Sequence, residues 1–389
     1  MLKVAENFRG ATIDSRLVAP GMLFVALKGE KSDGRDFIPQ ALAAGASGVI
    51  EGLEELHSFA AAYRKSLRAK VIGVTGSAGK TTVKEMLKAF LSKAGSAYAT
   101  EGNFNNHIGL PLSILNTPRD ADFLVLEMGT NHPGEIAALC EIASPDAGAI
   151  SSIGNAHIGF FGSTEGIARE KGTLFAKAKG PCVAHASVKH ADILRSLAGD
   201  RYIEAFDDPA VSDAVRAVLP GGHNVSNAAV AFRAAAEFGV TREMAVAALG
   251  NFSLPGDRWK KKEKCGVVFI DDTYNANPDA MKAALAAFAS MKAAGRRIAV
   301  LGDMFELGEK SAAYHAEVFD LAAEAGLDAV YAVGEFSSAC RCDAAWPDAK
   351  TAARALSEIL LPGDTVLLKA SHSMHLGGIL EDIDLPSAG

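Results

Sequence analysis

Short apolar runs alternate with amphipathic stretches along most of the chain, and the longest series lies between residues 69 and 257. The apolar runs are typical of buried strands and fall at residues 71–75, 123–128, 147–153 and 181–185. Amphipathic stretches with helical spacing fall at residues 82–91, 164–176 and 225–238. This alternation predicts a mostly parallel sheet with helices on both faces.

Two further segments flank this series. Before it, the pattern predicts strands at 24–27 and 48–50, a helix at 36–44 and an amphipathic stretch at 54–68 that ends the segment. After it, strands at 267–272, 297–301, 329–333 and 365–369 predict a smaller doubly wound α/β domain. Pro255, Gly256 and the lysine run that follows predict a hinge, with the lysines on a solvated linker face. The chain is therefore predicted to be α/β with three domains, at 1–68, 69–257 and 258–389.

Composition narrows the class of protein. Apolar residues make up 49% of the 389 residues and charged residues 22%, which is typical of a soluble globular protein. The net charge of −7 argues against general nucleic-acid binding. Five scattered cysteines imply neither a disulfide framework nor a zinc site. The polar N-terminus and the lack of a membrane-length apolar run lead us to expect a cytoplasmic protein without membrane insertion.

The most informative motif lies at residues 71–82. There an apolar strand runs into a glycine loop and a helix, through Gly76, Ser77, Ala78, Gly79, Lys80, Thr81 and Thr82. The general phosphate-loop pattern requires a glycine where the chain has Val74, but the shorter T-G-x-x-G-K-T form matches. We predict that the loop amides bind phosphates, that Lys80 reaches the terminal phosphates and that the Thr81 hydroxyl is a ligand of Mg²⁺. The alternative is a purely structural turn, and the motif leaves kinases, GTPases, motor ATPases and ligases open.

Other motifs, in their order along the chain, carry a family resemblance. They are GNFNNHIGLPLSIL (102–115), LEMGTNHPGEI (126–136), IGNAHIGFFGSTEGIAREKG (153–172), GGHNVSNAAVAF (221–232), GDRW (256–259), DDTYNANPDAM (271–281) and LGDMFELG (301–308). Together with residues 11–46, they make the chain resemble the Mur ligases, most closely the members that add D-alanyl-D-alanine. The resemblance implies a UDP-precursor-binding domain, a central ATP-binding domain and a C-terminal domain for the amine substrate. It also implies an ATP-dependent ligase that joins D-alanyl-D-alanine to UDP-N-acetylmuramoyl-tripeptide through an acyl phosphate, in peptidoglycan precursor synthesis.

The resemblance implies a metal site beside the phosphate loop. By spacing alone, Glu127 at the end of a strand is either a metal ligand or an exposed glutamate. The family pattern makes it a ligand of Mg²⁺ and adds His157 as a ligand of a second ion. It also implies that Lys171 carries CO₂ as a carbamate, because an ammonium group has no lone pair to offer a metal. Without the family pattern, Lys171 would be interpreted as a solvated helix lysine.

Further contacts are carried over from the family motifs. Asn224 could be only a helix N-cap, and Asn277 with Pro278 fits an N-cap and first-turn pair. Asp303 follows a strand at the edge where ligands bind in open sheets, and Arg258 could clamp phosphates. The expected ATP contacts in these motifs are Asn106, Asn224, Asn227, Arg258, Tyr274, Asn275, Asn277 and Asp303. The expected contacts of the UDP precursor are Ser15, Arg16, Lys28, Gly29, Asp33 and Gly34.

Some alternatives and departures remain. The sister ligase that adds the third amino acid usually carries Asp-Asn-Pro-Arg, which is absent here, and a folylpolyglutamate synthase would lack the stretch at 11–46. A P-loop protein without ligase activity is the alternative from another class. His372 stands where the family commonly has arginine, which predicts a change in affinity for the dipeptide or in its choice. The stretch at 11–46 also begins nearer the N-terminus than is usual, so a leading strand and helix are expected to be absent. We expect a monomer that uses ATP, two Mg²⁺ ions and the lysine carbamate.

Overall fold

The computed structural model of the chain describes residues 8–30, 32–156 and 158–385. The first seven residues of the polar N-terminus and the predicted ligand His157 lie outside the described residues. The chain divides into two compact units. The first comprises Met1–Ser152, Ala168–Val211 and Asn227–Leu249, and the second comprises Ile153–Ile167, Ser212–Ser226 and Gly250–Gly389. The predicted domain boundaries at 68 and 257 stay a prediction.

Strands and helices alternate along the chain, as the apolar pattern predicts. The strands are β1 Ala11–Thr12, β2 Leu23–Ala26, β3 Gly48–Glu51, β4 Lys70–Thr75, β5 Ala97–Ala99, β6 Phe123–Glu127, β7 Ala147–Ile150, β8 Cys182–His185, β9 Tyr202–Ala205, β10 Lys260–Lys264, β11 Val267–Asp271, β12 Arg297–Gly302, β13 Ala329–Val333, β14 Ala344–Trp346 and β15 Thr365–Lys369. The α-helices are α1 Ile38–Ala43, α2 Leu53–Ser66, α3 Lys80–Leu91, α4 Gly109–Leu115, α5 Glu135–Ala143, α6 Ile158–Phe161, α7 Thr164–Lys177, α8 Ala191–Ala198, α9 Pro209–Val218, α10 Gly222–Ala236, α11 Arg242–Leu249, α12 Pro278–Ala289, α13 Ser311–Glu324, α14 Ala349–Ile359 and α15 Ile379–Asp382. Short 3₁₀ helices lie at Ser15–Leu17, Gly34–Phe37, Gly199–Arg201, Gly308–Lys310, Ser337–Ala339, His372–Met374 and Leu376–Gly378. Within the described part of the chain, no helix combines the length and the apolar character that a bilayer crossing requires.

The first unit contains two parallel sheets. One has three strands in the order β1-β2-β3, and the other has six in the order β5-β6-β4-β7-β8-β9. All pairings in the six-stranded sheet are parallel, so the predicted mostly parallel sheet is confirmed. Strands β5 and β9, which the apolar pattern missed, are the two edge strands of this sheet. Edge strands are short and half exposed, and they therefore lack a continuous apolar run.

Helix α7 lies close to the centre of the six-stranded sheet because two strand positions are glycine. A Cβ at Gly73 in β4 would approach Leu174 Cδ1 to 2.7 Å, and a Cβ at Gly148 in β7 would approach Phe175 Cδ1 to 3.0 Å. Leu174 and Phe175 are three and four residues beyond Lys171, so the three side chains share one face of the helix. The glycines thus fix the face of α7 that carries Lys171 against the strand that leads into the glycine loop.

The amphipathic stretch at 54–68 forms α2, which is anchored on the helices of the six-stranded sheet. The Tyr63 hydroxyl donates to the Thr117 carbonyl at 2.8 Å. Arg64, only 7% exposed, donates to the Ala143 carbonyl at 2.9 Å and pairs with Asp146 at 2.7 Å. An arginine can occupy such a site because its several donors find acceptors at the end of α5. Helix α2 therefore packs as part of the sheet's helical layer.

The second unit contains a mixed sheet of six strands in the order β10-β11-β15-β12-β13-β14. Side chains of β12 alternate between two apolar cores. Ile298 and Val300 join the core that contains Leu356 of α14 and Ile379 of α15, whereas Ala299 and Leu301 join the core that contains residues of α12 and α13. A strand that buries both faces in this way is typical of a doubly wound sheet, and that prediction is confirmed.

The prediction of a solvated linker at the lysine run is wrong. Lys260–Lys264 forms the edge strand β10, which pairs antiparallel with β11. The run lacks apolar residues, but Lys262 reaches the buried carboxylate of Asp271 at 2.7 Å. Carboxylate pairing and backbone hydrogen bonds to β11 therefore hold a strand that hydrophobic patterning cannot detect.

We expect Arg64→Met to lower the free energy of unfolding by about 3 kcal/mol, because it leaves the Ala143 carbonyl and the Asp146 carboxylate without this donor. The matched control is Arg68→Met, since Arg68 pairs with Asp122 while its side chain remains 62% exposed. An exposed pair of that kind contributes about 1 kcal/mol or less. Urea unfolding measures both changes, and equal losses for the two variants would contradict the anchoring role of Arg64.

Candidate functional site

The turn from β4 into α3 has the backbone conformation of a phosphate loop. Gly76 and Gly79 have φ angles of +151° and +80°, which side chains disfavour. The first hydrogen bond of α3 runs from the Val83 amide to the Gly79 carbonyl at 2.9 Å. The amides of the preceding helical residues have no acceptor within the helix and present a partial positive charge at its N-terminus. The turn can therefore receive an anion where the sequence predicts phosphate binding.

Two serines that sequence reasoning missed hold this loop in shape. The Ser77 amide donates to the Ser152 carbonyl at 2.9 Å, and the Ala78 amide donates to Ser152 Oγ at 3.0 Å. The Ser151 hydroxyl donates to the Ala78 carbonyl at 2.5 Å. Both serines directly follow β7, whose pairing with β4 brings them beside the loop. Their signal in the sequence is only their position after a buried strand in a parallel sheet.

The side chains of Lys80 and Asn227 both lie against the glycine loop. The Lys80 ammonium donates to the Gly76 carbonyl at 2.9 Å, across its own loop. A Cβ at Gly79 would lie 2.4 Å from Asn227 Oδ1, so the glycine leaves room for that amide. Asn227 is 5% exposed and lies on α10, where the family motif places an ATP contact. The structure thus brings Asn227 to the phosphate loop.

Asn224 has a different local role from the N-cap alternative. It is the third residue of α10, and its side-chain amide donates to the Pro220 carbonyl at 2.8 Å. An N-cap side chain would instead precede the helix and accept from its first amides. The N-cap interpretation of Asn224 is therefore wrong, and the helix begins two residues earlier.

Glu127 is the acidic centre of the site. It is 3% exposed at the end of β6, which excludes the alternative of an exposed glutamate. The Thr81 hydroxyl donates to Glu127 Oε2 at 2.8 Å, and Asn105 Nδ2 donates to Oε1 at 2.9 Å. Thr81 and Glu127 meet because β4 and β6 are parallel neighbours. The structure thus joins two predicted metal ligands in one hydrogen-bonded pair.

Asn105 contacts this carboxylate, whereas its neighbour Asn106, a predicted ATP contact, has a different local role. Asn106 Oδ1 accepts from the amides of Ile108 and Gly109 at 3.0 and 2.9 Å, just before and at the start of α4. The side chain of Asn106 therefore caps a helix, and its contact with ATP stays a prediction. Sequence reasoning missed Asn105, because an asparagine in a loop carries no signal of which side chain it will face after folding.

Lys171 is a buried amine without a hydrogen-bond partner. Its side chain is 1% exposed, and Nζ has no hydrogen-bond partner among the described residues. Burial, and next the charge of Lys80, hold the pKa of Lys171 well below its usual range, against the opposing effect of Glu170. Glu170 instead accepts from the amides of Gly134 and Ile136 at 2.8 and 2.9 Å at the start of α5. The neutral form of Lys171 is therefore more favoured than that of an exposed lysine.

The oxygen donors beside the glycine loop suit a magnesium ion but are few. Within residues 8–30, 32–156 and 158–385, no group of three or more His, Cys, Asp or Glu side chains is placed to hold a metal ion. Thr81 and Glu127 supply hydroxyl and carboxylate oxygens, which Mg²⁺ prefers. A carboxylate-bearing lysine would add oxygen ligands to a set that is otherwise small.

The second unit brings several predicted ATP contacts together. The Arg258 guanidinium lies 3.5 Å from the centre of the Tyr274 ring. The His372 ring also packs near Tyr274, with 5.7 Å between the ring centres. Asn277 caps α12 by accepting from the Ala280 amide at 2.9 Å, as its spacing with Pro278 predicts. Asn275 Oδ1 accepts from the Ala276 amide at 2.8 Å. The roles of these side chains toward ATP stay predictions.

Asp303 has a structural role in this unit. It directly follows β12 and is 3% exposed. Its carboxylate accepts from the amides of Glu335, Phe336 and Ser337 at 2.9, 3.3 and 2.7 Å. These three bonds account for the conformation of the loop after β13, and a contact of Asp303 with ATP stays a prediction.

The predicted UDP-precursor residues lie around the small sheet. Ser15 donates to Gln40 Oε1 at 3.0 Å, and Arg16 pairs with Asp14 in an exposed ion pair. The other four residues form or flank one turn. In this turn the backbones of Lys28 and Asp33 pair in an isolated antiparallel β-bridge, and the Gly29 amide donates to the Ser32 carbonyl. Bidentate pairing with Arg35 lowers the pKa of Asp33 to about 2. A Cβ at Gly34 would lie 2.6 Å from the Leu27 backbone, so the turn requires this glycine.

Comparison with known families agrees with the fold and the site. Three family models match: the Mur ligase family catalytic domain at residues 7–91, the Mur ligase middle domain at 74–206, and the Mur ligase glutamate ligase domain at 257–372. Together they cover most of the chain. The chain belongs to the Mur ligase family, and the predicted fold class of three α/β domains is confirmed.

Individual relatives indicate which members of the family the chain is similar to. The chain is 33% identical over 423 residues to UDP-N-acetylmuramoyl-tripeptide–D-alanyl-D-alanine ligase of Bacillus subtilis (strain 168), with 96% of this chain and 93% of the relative covered. It is 35% identical over 371 residues to the ligase of the same name from Escherichia coli (strain K12), with 84% and 82% covered. The crystal structure of MurF ligase from Thermotoga maritima in complex with ADP matches with a TM-score of 0.82 at 30% identity, and covers 96% of each chain.

We expect Gly79→Ala to abolish binding of ADP, because the added methyl group strains the backbone and displaces Asn227 from the loop. The matched control is Gly102→Ala, where φ is +53° and a Cβ would meet no atom within 4 Å. The control should lose about 1 kcal/mol of stability from the left-handed backbone alone and keep its ADP affinity. Calorimetric titration with ADP and thermal unfolding measure both properties. ADP binding by Gly79→Ala at the unaltered affinity would contradict the assigned role of the loop.

Proposed function

We propose that the chain is an ATP-dependent ligase that joins D-alanyl-D-alanine to UDP-N-acetylmuramoyl-tripeptide in peptidoglycan precursor synthesis. The observation that carries this proposal is the 33–35% identity, over 84–96% of the chain, to ligases of that name. The ADP bound in a related crystal structure supports a nucleotide at the glycine loop. The buried pair of Thr81 and Glu127 beside that loop supports phosphoryl transfer assisted by a metal ion.

The proposed reaction runs through an acyl phosphate. A carboxylate oxygen at the end of the UDP-linked peptide attacks the γ-phosphorus of ATP, and the bond to the β,γ-bridging oxygen breaks to release ADP. The amine of D-alanyl-D-alanine then attacks the acyl carbon and loses a proton, and inorganic phosphate leaves as the amide forms. Such transfers depend mainly on positioning and on neutralising phosphate charge, which Lys80 and the N-terminus of α3 provide.

Thr81 and Glu127 would hold Mg²⁺, with Lys171 as a further ligand after modification and His157 as a ligand of a second ion. When bound, the metal supplies positive charge to the phosphate oxygens of ATP. Thr81 can direct its hydroxyl proton to Glu127 while an oxygen lone pair faces a metal, and Asn105 fixes the rotation of the carboxylate. The residues of this site thus fit the ion through their oxygen atoms.

Lys171 would act as a carbamate. A neutral amine attacks CO₂ and forms a nitrogen–carbon bond, and the loss of one proton leaves a carboxylate on the side chain. The low pKa of the buried Lys171 favours the neutral amine that this reaction needs. The product would place a negative charge near Lys80, where the unmodified ammonium would place a second positive charge. Burial of Nζ without a hydrogen-bond partner among the described residues is therefore a reason to propose the modification.

The remaining predicted residues take their proposed roles from the family motifs. Asn106, Asn224, Asn227, Arg258, Tyr274, Asn275, Asn277 and Asp303 belong to the proposed nucleotide site. Ser15, Arg16, Lys28, Gly29, Asp33 and Gly34 belong to the proposed site for the UDP precursor. We propose that the enzyme works as a monomer in the cytoplasm, with domains at 1–68, 69–257 and 258–389.

We expect release of phosphate from ATP only when UDP-N-acetylmuramoyl-tripeptide and D-alanyl-D-alanine are both present, because each substrate completes one step of the reaction. The product should be a UDP-linked pentapeptide, measured by mass spectrometry. Reactions with either substrate alone are the controls. Phosphate release with the UDP-linked dipeptide and a single amino acid would instead assign the chain to the sister ligase, and no release with measurable ATP binding would contradict ligase activity.

We expect Lys171→Ala to lower kcat on the order of 100-fold, with partial recovery on adding a short carboxylic acid that replaces the carbamate oxygens. The matched control is Lys177→Ala on the same helix, where the side chain is 47% exposed and its activity should be unchanged. Carbon-13 NMR in labelled bicarbonate should show a carbamate signal in the unaltered protein and in the control only. Normal activity of Lys171→Ala without an added acid would refute the carbamate proposal.

A further inference from the structure

Lys84 is a second fully buried lysine near the nucleotide site, and the proposed reaction gives it no role. It lies in α3, three residues after Thr81, and its side chain is 0% exposed. Its ammonium donates to the Thr100 carbonyl at 2.6 Å and pairs with Glu85 at 2.8 Å. In contrast to Lys171, this amine has both a hydrogen-bond acceptor and an ion-pair partner.

Thr100 connects Lys84 to the metal ligand of β6. Thr100 directly follows β5 and is 1% exposed. Its hydroxyl oxygen accepts from the Glu127 amide at 3.0 Å, while its own amide donates to the Val125 carbonyl at 3.0 Å. Thr100 therefore binds the Glu127 backbone through its hydroxyl group and accepts a hydrogen bond from the Lys84 ammonium at its carbonyl oxygen.

The segment after Thr100 also holds the carboxylate of Glu127. Five residues further on, Asn105 Nδ2 donates to Glu127 Oε1, and the Asn105 carbonyl accepts from the Gly129 amide at 2.8 Å. The segment thus contacts Glu127 at both its backbone and its side chain. Lys84 ties the beginning of this segment to α3, which carries Thr81.

Burial of the Lys84 ammonium in the space between α3 and the segment after β5 is energetically unfavourable, because the charge loses its hydration. A methionine of similar length would fill it without the loss of hydration that a buried charge suffers. The charge does supply directed hydrogen bonds, which set the position of α3 against the segment after β5. A bond of that kind can fix the relative position of Thr81 and Glu127, which come from different elements.

We propose that Lys84 is a positioning residue for the metal–nucleotide site, acting through Thr100 to hold Glu127 in register with Thr81. This inference rests on the proposed function, which makes Thr81 and Glu127 ligands of Mg²⁺. Lys84 does not touch the nucleotide in this role. Lys84 instead affects the coupling between the two ligands, that is, how much bound Mg²⁺ increases the affinity for ATP.

The test compares the dissociation constant of ATP in excess Mg²⁺ with that in EDTA, by calorimetric titration of the full chain. The ratio of the two constants measures the coupling between metal and nucleotide. The variants are Lys84→Met, which removes the ammonium, and Thr100→Val, which removes only the hydroxyl acceptor of the Glu127 amide. The controls are Lys88→Met, an exposed lysine on the same helix, and Glu85→Gln, which removes the ion pair but keeps the bond to Thr100. Thermal unfolding of every variant accompanies the titrations.

We expect the coupling ratio to fall on the order of 10-fold in Lys84→Met and in Thr100→Val, as for other residues that orient a metal ligand. The affinity for ATP in EDTA and the coupling in both controls should stay unchanged. The double variant Lys84→Met with Thr100→Val should lose less than the sum of the two single losses, because both act on one connection. Should Lys84→Met fail to fold, Lys84→Gln, which removes the charge but keeps a shorter polar side chain, decides the question by the same ratio.

A lower unfolding temperature with an unchanged coupling ratio in these variants would overturn the inference and leave Lys84 as a stabilising ion pair, with the proposed function intact. An unaltered protein that binds ATP equally well with Mg²⁺ and with EDTA would overturn the metal site itself, and this inference with it. The two failures are distinguished by the titration of the unaltered protein.

Discussion

The close approach of helix α7 to the central sheet is the constraint on which the nucleotide site depends. It exists because Gly73 and Gly148 leave space for Leu174 and Phe175. A methyl group at either glycine would push the helix outward, and Lys171 lies one turn before those contacts. The absence of two side chains from the central strands thus determines where the helix that carries Lys171 lies.

The site contains two buried ionisable side chains that differ in whether their polar atoms are hydrogen-bonded. Glu127 donates from its backbone amide to the Thr100 hydroxyl and accepts hydrogen bonds at both carboxylate oxygens, and its geometry is therefore fixed before any ligand arrives. Lys171 lies equally deep but lacks a hydrogen-bond partner at Nζ among the described residues, which is costly for an ammonium. A satisfied acid serves as a rigid ligand, whereas an unsatisfied amine gains stability from a reaction that changes its charge. The proposed mechanism uses both properties.

The sequence predicts the central strands and the phosphate loop well because each carries a continuous apolar run or a fixed glycine spacing. It fails at β10, where lysines replace apolar residues and only pairing with β11 creates the strand. It also does not single out Asn105, since the role of this residue depends on its side chain facing Glu127 after folding. Ser151 and Ser152 are missed for a related reason, because their role comes from the neighbouring strand and not from their own motif.

The lysine-rich strand β10 has a consequence for the protein in a crowded solution. It is the outermost strand of its sheet, and three of its five residues are exposed. An outer strand offers unpaired backbone groups to which another polypeptide can add, which is a common first step of aggregation. An approaching strand would here meet the exposed charged side chains of Lys260, Lys261 and Glu263 and would have to strip water from them. The same residues that obscure this strand in the sequence therefore protect the edge of the sheet.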